Sequence, residues 1–139
     1  MKIKAAGQEV YVYTGGEEHK PGCDNIVFIH GAGMNHTVWT LMARYWAKAG
    51  LNVAALDLQG HGLSDGEPLA SIEQNAEFVS AVVEQLGLTD SVNIVGHSMG
   101  SLVALETASL LPNVKRLAML GTAVPMVVGE PLLLSLIHI

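Results

Sequence analysis

The stretch Gly96-His97-Ser98-Met99-Gly100 constrains the fold of this chain more than any other part of its sequence. It has the form G-x-S-x-G and lies between an apolar run at residues 92–95 and a helical pattern at residues 101–111. A serine in that setting lies on a sharp strand-to-helix turn, with a strained backbone and an exposed hydroxyl. The glycines are needed because the strand and the helix pass too closely for side chains. The stretch predicts a nucleophilic serine, Ser98, at the N-terminal, positive end of a helix.

Glycine-rich turns that follow strands also bind nucleotides, which is the main alternative for this stretch. The dinucleotide-binding pattern G-x-G-x-x-G is not met, because Ser98 stands where the second glycine would be. The phosphate-binding P-loop pattern is not met either, because no Lys-Ser or Lys-Thr follows the glycines. The interpretation as a nucleophile is therefore preferred.

Strand and helix patterns alternate along the rest of the chain. Apolar or β-rich runs predict strands at residues 10–14, 26–29, 53–56, 92–95 and 114–120. Helical spacing is shown by Val38, Leu41, Met42, Tyr45 and Trp46, with Gly50 after them, and by Ile72, Ala76, Val79, Val83 and Leu86. Ser71 and Gln74 form a capping box before the second helix, and Gly87 ends it. Strands that are apolar throughout, alternating with helices, predict an α/β fold: a parallel sheet with helices on both faces.

Two further loops follow predicted strands. The sequence His30-Gly31-Ala32-Gly33 ends the strand at 26–29, and its glycines allow a backbone N–H to reach a reacting centre. A plain strand-to-helix turn is the alternative there. The loop at residues 57–66, DLQGHGLSDG, is rich in glycine and aspartate but lacks the ligand spacing of a calcium loop. We predict a tight turn that Asp57 holds in place by hydrogen bonds.

Composition excludes several classes of function. The 139 residues are 50% hydrophobic, enough to build a core, and carry a net charge of −6 without any basic patch, so we predict no nucleic-acid partner. Cys23 is the only cysteine, so no disulfide within the chain is possible. The first residues contain no long apolar run, which predicts no signal peptide and a cytoplasmic location. The apolar region at residues 117–139 is interrupted by Glu130 and two prolines, so we predict a buried strand and the start of another element there, not a membrane span.

The histidines do not cluster with carboxylates or cysteine at metal-binding spacing, so no metal is predicted. His30, His61 and His97 are predicted to be structural, the last of them pointing away from Ser98. His19 and His36 are predicted to face solvent.

Together, the HGAG loop after one strand, the DLQGHGLSDG loop after the next and the VGHSMGS turn after a third resemble the α/β-hydrolase fold superfamily. Order and spacing agree from about residue 10 to residue 126. The pairing of His-Gly-Ala-Gly with Gly-His-Ser-Met-Gly is similar to that of monoacylglycerol-lipase-like and other lid-bearing esterases. An aspartate in place of Ser98 would have suggested epoxide or haloalkane chemistry.

This resemblance implies a serine hydrolase without a cofactor, acting on a small-molecule ester or acyl substrate through an acyl-enzyme. Ser98 is then the nucleophile, and the backbone N–H groups of Ala32 and Met99 form the oxyanion hole. Gly31, Gly96 and Gly100 support the loop and the turn. A ligand-binding or interaction module on the same fold, C–C bond hydrolysis and haloperoxidase-like chemistry stay open as alternatives. The sequence does not address the oligomeric state.

The acid and the base that a serine nucleophile needs are expected after Ser98, in the order acid then histidine. Only Glu106, Glu130 and His138 follow it. Glu106 is expected to face away from the site, two turns into the next helix, and Glu130 to lie where a lid would begin. Residues 134–139, LSLIHI, are what one reading frame of a transposon-based sequencing adapter encodes, so we expect a library scar there. Residues 1–133 are then the N-terminal part of one hydrolase domain, cut after about the sixth strand and inactive alone.

Overall fold

A computed structural model describes residues 1–121 of the chain, which form six strands and three α-helices around one sheet. The strands are β1 (Lys2–Ala5), β2 (Gln8–Tyr13), β3 (Asn25–Ile29), β4 (Asn52–Leu56), β5 (Val92–His97) and β6 (Val114–Leu120). The helices are α1 (Thr40–Lys48), preceded by a 3-10 turn at His36–Trp39, then α2 (Ile72–Leu86) and α3 (Met99–Leu110). Every strand predicted from the sequence is present, and β1 is an addition to them.

The sheet has the strand order β1-β2-β4-β3-β5-β6. Its larger part, β4-β3-β5-β6, is parallel, as predicted. The first two strands run antiparallel to their neighbours, so the complete sheet is mixed. For β1 and β2 the reason lies in the turn that joins them. Ala6 and Gly7 both have positive φ, 51° and 74°, which closes a two-residue hairpin, and a connection that short joins only antiparallel strands.

Helices cover both faces of the sheet, as predicted. On one face α2 and α3 pack against side chains such as Val27 and Ile29 of β3. On the other face α1 and the 3-10 turn pack against Ile26 and Phe28 of the same strand. All five residues of β3 and of β4 are buried, because neighbouring side chains in a strand point to opposite faces and both faces are covered.

Helix α2 begins and ends where the sequence predicts. The Ser71 hydroxyl accepts a hydrogen bond from the Gln74 N–H at 3.0 Å, and the Gln74 side chain accepts one from the N–H of Ala70 at 2.9 Å. Gly87 adopts the left-handed conformation, with φ 70°, and ends the helix. Within residues 1–121, no helix is long and apolar enough to cross a membrane.

Helix α1 forms as predicted, but the apolar stripe that predicts it is largely on the solvent side. Leu41 is 81% exposed and Tyr45 is 66% exposed. The buried positions are instead Ala43 and Ala47, with Trp39 just before the helix. Small side chains let α1 approach so closely that a Cβ atom at Gly15 would collide with Ala43 and Ala47. Close backbone approach, rather than bulk, decides which face of α1 packs.

Strand β6 matches its predicted bounds, but the prediction that it is buried is wrong for the part of the chain that the structure describes. Its burial alternates, and Leu120 is 41% exposed. The physical reason is its position at the end of the strand order, where it pairs with β5 and has no neighbour within residues 1–121 on its other side. The rest of the predicted apolar region, residues 122–139, lies outside the described residues.

Candidate active site

The turn at Ser98 joins β5 directly to α3. Ser98 has φ 55° and ψ −123°, a conformation that is costly for a residue with a side chain. Hydrogen bonds on both sides hold it there. The Ser98 N–H donates to the carbonyl of Leu120 at 2.9 Å, and the Ser98 carbonyl accepts from both the N–H and the hydroxyl of Ser101. The predicted strand, strained turn and helix are therefore all present.

Three glycines make this arrangement possible by close approach. A Cβ atom at Gly96 would collide with the carbonyl of Gly100, and one at Gly100 would collide with the carbonyls of Ile29 and His30. A Cβ atom at Gly31 would lie 3.3 Å from both the His97 carbonyl oxygen and the Ser98 Cβ. The loop that follows β3 therefore packs directly against the serine. The residues predicted from the sequence, Gly31, Gly96, Gly100 and Ser98, meet at the carboxyl ends of β3 and β5.

His30 is fully buried where β3 meets this loop. Its Nδ1 lies 2.8 Å from the carbonyl oxygen of Gly31, and its Nε2 lies 3.0 Å from the N–H of Leu58. Burial lowers the pKa of His30 to about 4, because the charged imidazolium would lose its contact with water, and the hydrogen bond to the Gly31 carbonyl opposes this only in part. The predicted structural role of His30 agrees with this geometry.

The loop after β4 is held by Asp57, as predicted. The Asp57 carboxylate is fully buried and accepts hydrogen bonds from the N–H of Leu63 at 2.9 Å and from the N–H of His36 at 2.6 Å. The His36 Nδ1 lies 3.0 Å from both carboxylate oxygens. The Ser64 hydroxyl donates to the Asp57 carbonyl at 2.7 Å. A Cβ atom at Gly62 would collide with the Asp57 carboxylate, so a glycine is needed at that point of the loop.

The predictions for two histidines were wrong. His36 does not face solvent: its side chain is 15% exposed, bonded to Asp57 and packed on the ring of Tyr11, with 4.7 Å between ring centroids. His19 is half-buried, and its Nε2 donates to the carbonyl of Val53 at 2.7 Å. Both partners lie more than 20 residues away in sequence, so local pattern gave no signal for either contact.

The other two histidines near the site also have identifiable neighbours. The Nδ1 of His61 lies 3.0 Å from the carbonyl oxygen of Gln59, and its ring lies 5.1 Å from that of His30. The ring of His97 lies edge-on to Trp39 and close to Gly121. In the described part of the chain, no three or more His, Cys, Asp or Glu side chains form a group that could hold a metal ion.

An acid and a base for Ser98 are not found between residues 99 and 121. Glu106, the one acid in that interval, lies within α3, two turns after the serine, and the interval contains no histidine. Among residues 1–121, no side chain makes a hydrogen bond to the Ser98 hydroxyl, and none to the Ala32 N–H. Glu130, His138 and the scar predicted at residues 134–139 lie outside the described residues.

Comparisons with known proteins agree with this geometry. A family model described as the alpha/beta hydrolase fold matches residues 24–135. The chain is 38% identical over 99 residues to an (E)-2-((N-methylformamido)methylene)succinate hydrolase of Acinetobacter baylyi, covering 69% of this chain and 36% of that protein. It is 34% identical over 110 residues to protein phosphatase methylesterase 1 of Bos taurus, covering 70% of this chain and 29% of that protein.

Among solved structures, the chain is similar to a membrane phospholipase A described as a bacterial virulence factor. The TM-score is 0.75 and the identity 26%, over 86% of this chain and 38% of that one. The chain therefore spans between about three tenths and two fifths of the length of these proteins.

Proposed function

The chain belongs to the α/β-hydrolase fold family, and from that membership we propose that it is part of a serine hydrolase that cleaves carboxylic esters, with Ser98 as the nucleophile. The observation that carries this proposal is the strained backbone of Ser98, with φ 55°, at the junction of β5 and α3. Backbone strain of this kind persists only where the surrounding structure holds it, and strained residues are found mostly at active sites and ligand-binding sites. In this conformation the Ser98 side chain is held at the carboxyl end of β5.

In the proposed reaction the Ser98 Oγ attacks the carbonyl carbon of the ester and gives its proton to a histidine. The alcohol leaves as that proton is returned, and water then hydrolyses the acyl-enzyme by the same route. The substrate is a small-molecule ester or acyl compound. The enzymes named above, a methylesterase and a phospholipase among them, are consistent with an ester substrate.

The oxyanion that forms in each step needs two N–H donors. We assign them to Met99 and Ala32. Met99 is the first residue of α3, so its N–H has no partner within the helix, and the helix dipole is positive there. The Ala32 N–H makes no backbone hydrogen bond among residues 1–121, and it belongs to the loop that packs against Ser98.

We also propose that the acid and the histidine of the triad belong to a longer protein, of which residues 1–133 are one part. A sequencing read through the codons for residues 131–139 in the source DNA tests this. We expect an open frame that continues from Leu133 without the LSLIHI codons and that encodes a later aspartate and histidine. A stop codon directly after Ile139 in that DNA would contradict it.

The nucleophile is tested in the full-length gene product. Ser98→Ala is expected to reduce the hydrolysis of p-nitrophenyl esters by at least ~10⁴-fold, because the covalent intermediate can no longer form. It is also expected to remove labelling by a fluorophosphonate probe. Ser109→Ala, on the exposed side of the same helix, is the control and should keep both. Esterase activity that survives Ser98→Ala would refute the proposal, and unlabelled, inactive wild-type protein would favour a binding module.

A further inference from the structure

The buried ring of His30 bridges two of the loops that meet at the serine. One nitrogen faces the Gly31 carbonyl in the loop after β3, and the other faces the Leu58 N–H in the loop after β4. His30 is fully buried, and neither contact is needed to complete a helix or a strand pair. The proposed mechanism gives this side chain no part in the reaction, so its two hydrogen bonds call for a separate explanation.

The partners of the ring determine which nitrogen carries the proton. The Leu58 N–H can only donate, so the Nε2 of His30 accepts and holds no proton. A neutral imidazole then carries its proton on Nδ1, which donates to the Gly31 carbonyl at 2.8 Å. In this tautomer the ring is hydrogen-bonded to both loops at once, so that it fixes the position of one loop relative to the other.

The Gly31 carbonyl shares a planar peptide group with the Ala32 N–H. In a trans peptide these two groups point in opposite directions, so fixing the carbonyl also fixes the direction of the N–H. The Met34 N–H also donates to this carbonyl, at 3.2 Å. That bond lies within the loop and would turn with it, whereas the His30 ring is held from the neighbouring loop.

We infer that His30 is a positioning residue for the oxyanion hole: by holding the Gly31 carbonyl toward the core, it directs the Ala32 N–H toward the position of the oxyanion. This inference rests on the proposed function. If His30 only filled space, the two hydrogen bonds would contribute to stability alone, and losing one or the other would have the same effect on catalysis.

Two variants separate the two bonds. In His30→Asn the amide nitrogen lies the same number of bonds from Cα as Nδ1 does, so the bond to Gly31 can be kept and the bond to Leu58 is lost. In His30→Gln the amide oxygen stands in for Nε2, so the bond to Leu58 can be kept and the bond to Gly31 is lost. Both remove the buried imidazole, so each is a control for the other.

Steady-state hydrolysis of a p-nitrophenyl ester by the full-length gene product is the measurement. Because removal of one oxyanion donor typically lowers kcat by about 10²–10³-fold, we expect His30→Gln to lose at least ~10-fold in kcat with little change in KM. His30→Asn is expected to keep kcat much closer to wild type. Equal losses in the two variants would overturn the inference and leave the proposed function intact.

Inactive wild-type protein that no fluorophosphonate probe labels would overturn the proposed function, and the inference with it. Should the variants not fold, the wild-type imidazole can be examined directly by ¹⁵N NMR at pH 7. A neutral ring protonated on Nδ1 is the expected result. A ring protonated on Nε2, or on both nitrogens, could not make the two bonds described and would contradict the inference.

Discussion

Ser98 combines an unfavourable backbone conformation with three backbone-directed hydrogen bonds that hold it. A left-handed or related conformation costs a residue with a Cβ atom roughly 1–3 kcal/mol. The bonds from Ser98 to Leu120 and from Ser101 to the Ser98 carbonyl offset that cost. The backbone of Ser98 is therefore held in this conformation by its neighbours and not by its own preference.

His30 makes stability depend on pH. Burial lowers its pKa from the ordinary value of 6.5 to about 4, so between these values the unfolded chain takes up a proton that the folded chain does not. Stability is unaffected by this group above pH 6.5, falls as the pH is lowered, and has lost roughly 3 kcal/mol below pH 4. Denaturant unfolding of the full-length gene product at pH 7 and pH 4.5 measures the effect.

The same measurement on His30→Asn isolates this histidine from other titrating groups, including Asp57, His36 and His61 nearby. The variant is expected to be less stable at pH 7 but to lose less stability between the two pH values. Equal losses in wild type and variant would show that His30 is protonated in the folded protein as readily as in the unfolded chain.

The sequence predicted the residues that sit on a motif and failed for those that depend on a distant partner. Ser98 and its glycines follow a fixed spacing, and their positions at the junction of β5 and α3 could be inferred directly. The partners of His36 and His19 are Asp57 and Val53, which reach them only after separate loops and strands have packed. Nothing in the local pattern around either histidine encodes such a contact.

Replacing Gly100 of helix α3 by alanine is expected to destabilise the protein, although alanine has the higher helix propensity. Replacing glycine by alanine within a helix normally stabilises it by about 1 kcal/mol. At Gly100 the added Cβ would collide with the carbonyls of Ile29 and His30, where β3 ends. We therefore expect Gly100→Ala to destabilise the full-length gene product by about 1–3 kcal/mol, as overpacking does, and to lower the proposed esterase activity by displacing the loop beside Ser98.

Ser109→Ala is the matched control for this substitution, because it lies in the same helix on an exposed side. It should change the melting temperature little and leave activity unchanged. A Gly100→Ala variant that melts at or above the wild-type temperature would mean that α3 and β3 can separate, and that their close contact does not shape the site.

Most helices and strands could be predicted from hydrophobic periodicity and from helix-end signals such as Ser71 and Gly87. Two features of the fold could not be predicted in this way. Strand β1 was missed because Ala6-Gly7 is not a typical hairpin turn sequence, although both residues adopt positive φ. The buried side of α1 was misjudged because its packing depends on Ala43 and Ala47, whose small side chains carry little weight in a hydrophobic pattern.

The 139-residue chain on its own is expected to associate or to lack a cooperative melt. In residues 1–121, β6 leaves one edge without a pairing strand, and Leu105, Leu110 and Leu120 are each more than 40% exposed. Unpaired edges and exposed apolar side chains favour aggregation. Size-exclusion chromatography and a near-UV circular dichroism melt test this, with the full-length gene product as the control. A soluble monomer with a sharp melt would contradict it.

The hydrogen bond from the Ser98 N–H to the Leu120 carbonyl also orders events during synthesis. Residues up to Ser98 leave the ribosome before β6 does, so the nascent chain first presents the serine without the strand that fixes it. Ser98 gains the hydrogen bond that fixes its N–H only once Leu120 has emerged and β6 has paired with β5. Until then, a ribosome-bound chain carries the complete G-x-S-x-G sequence but no organised site.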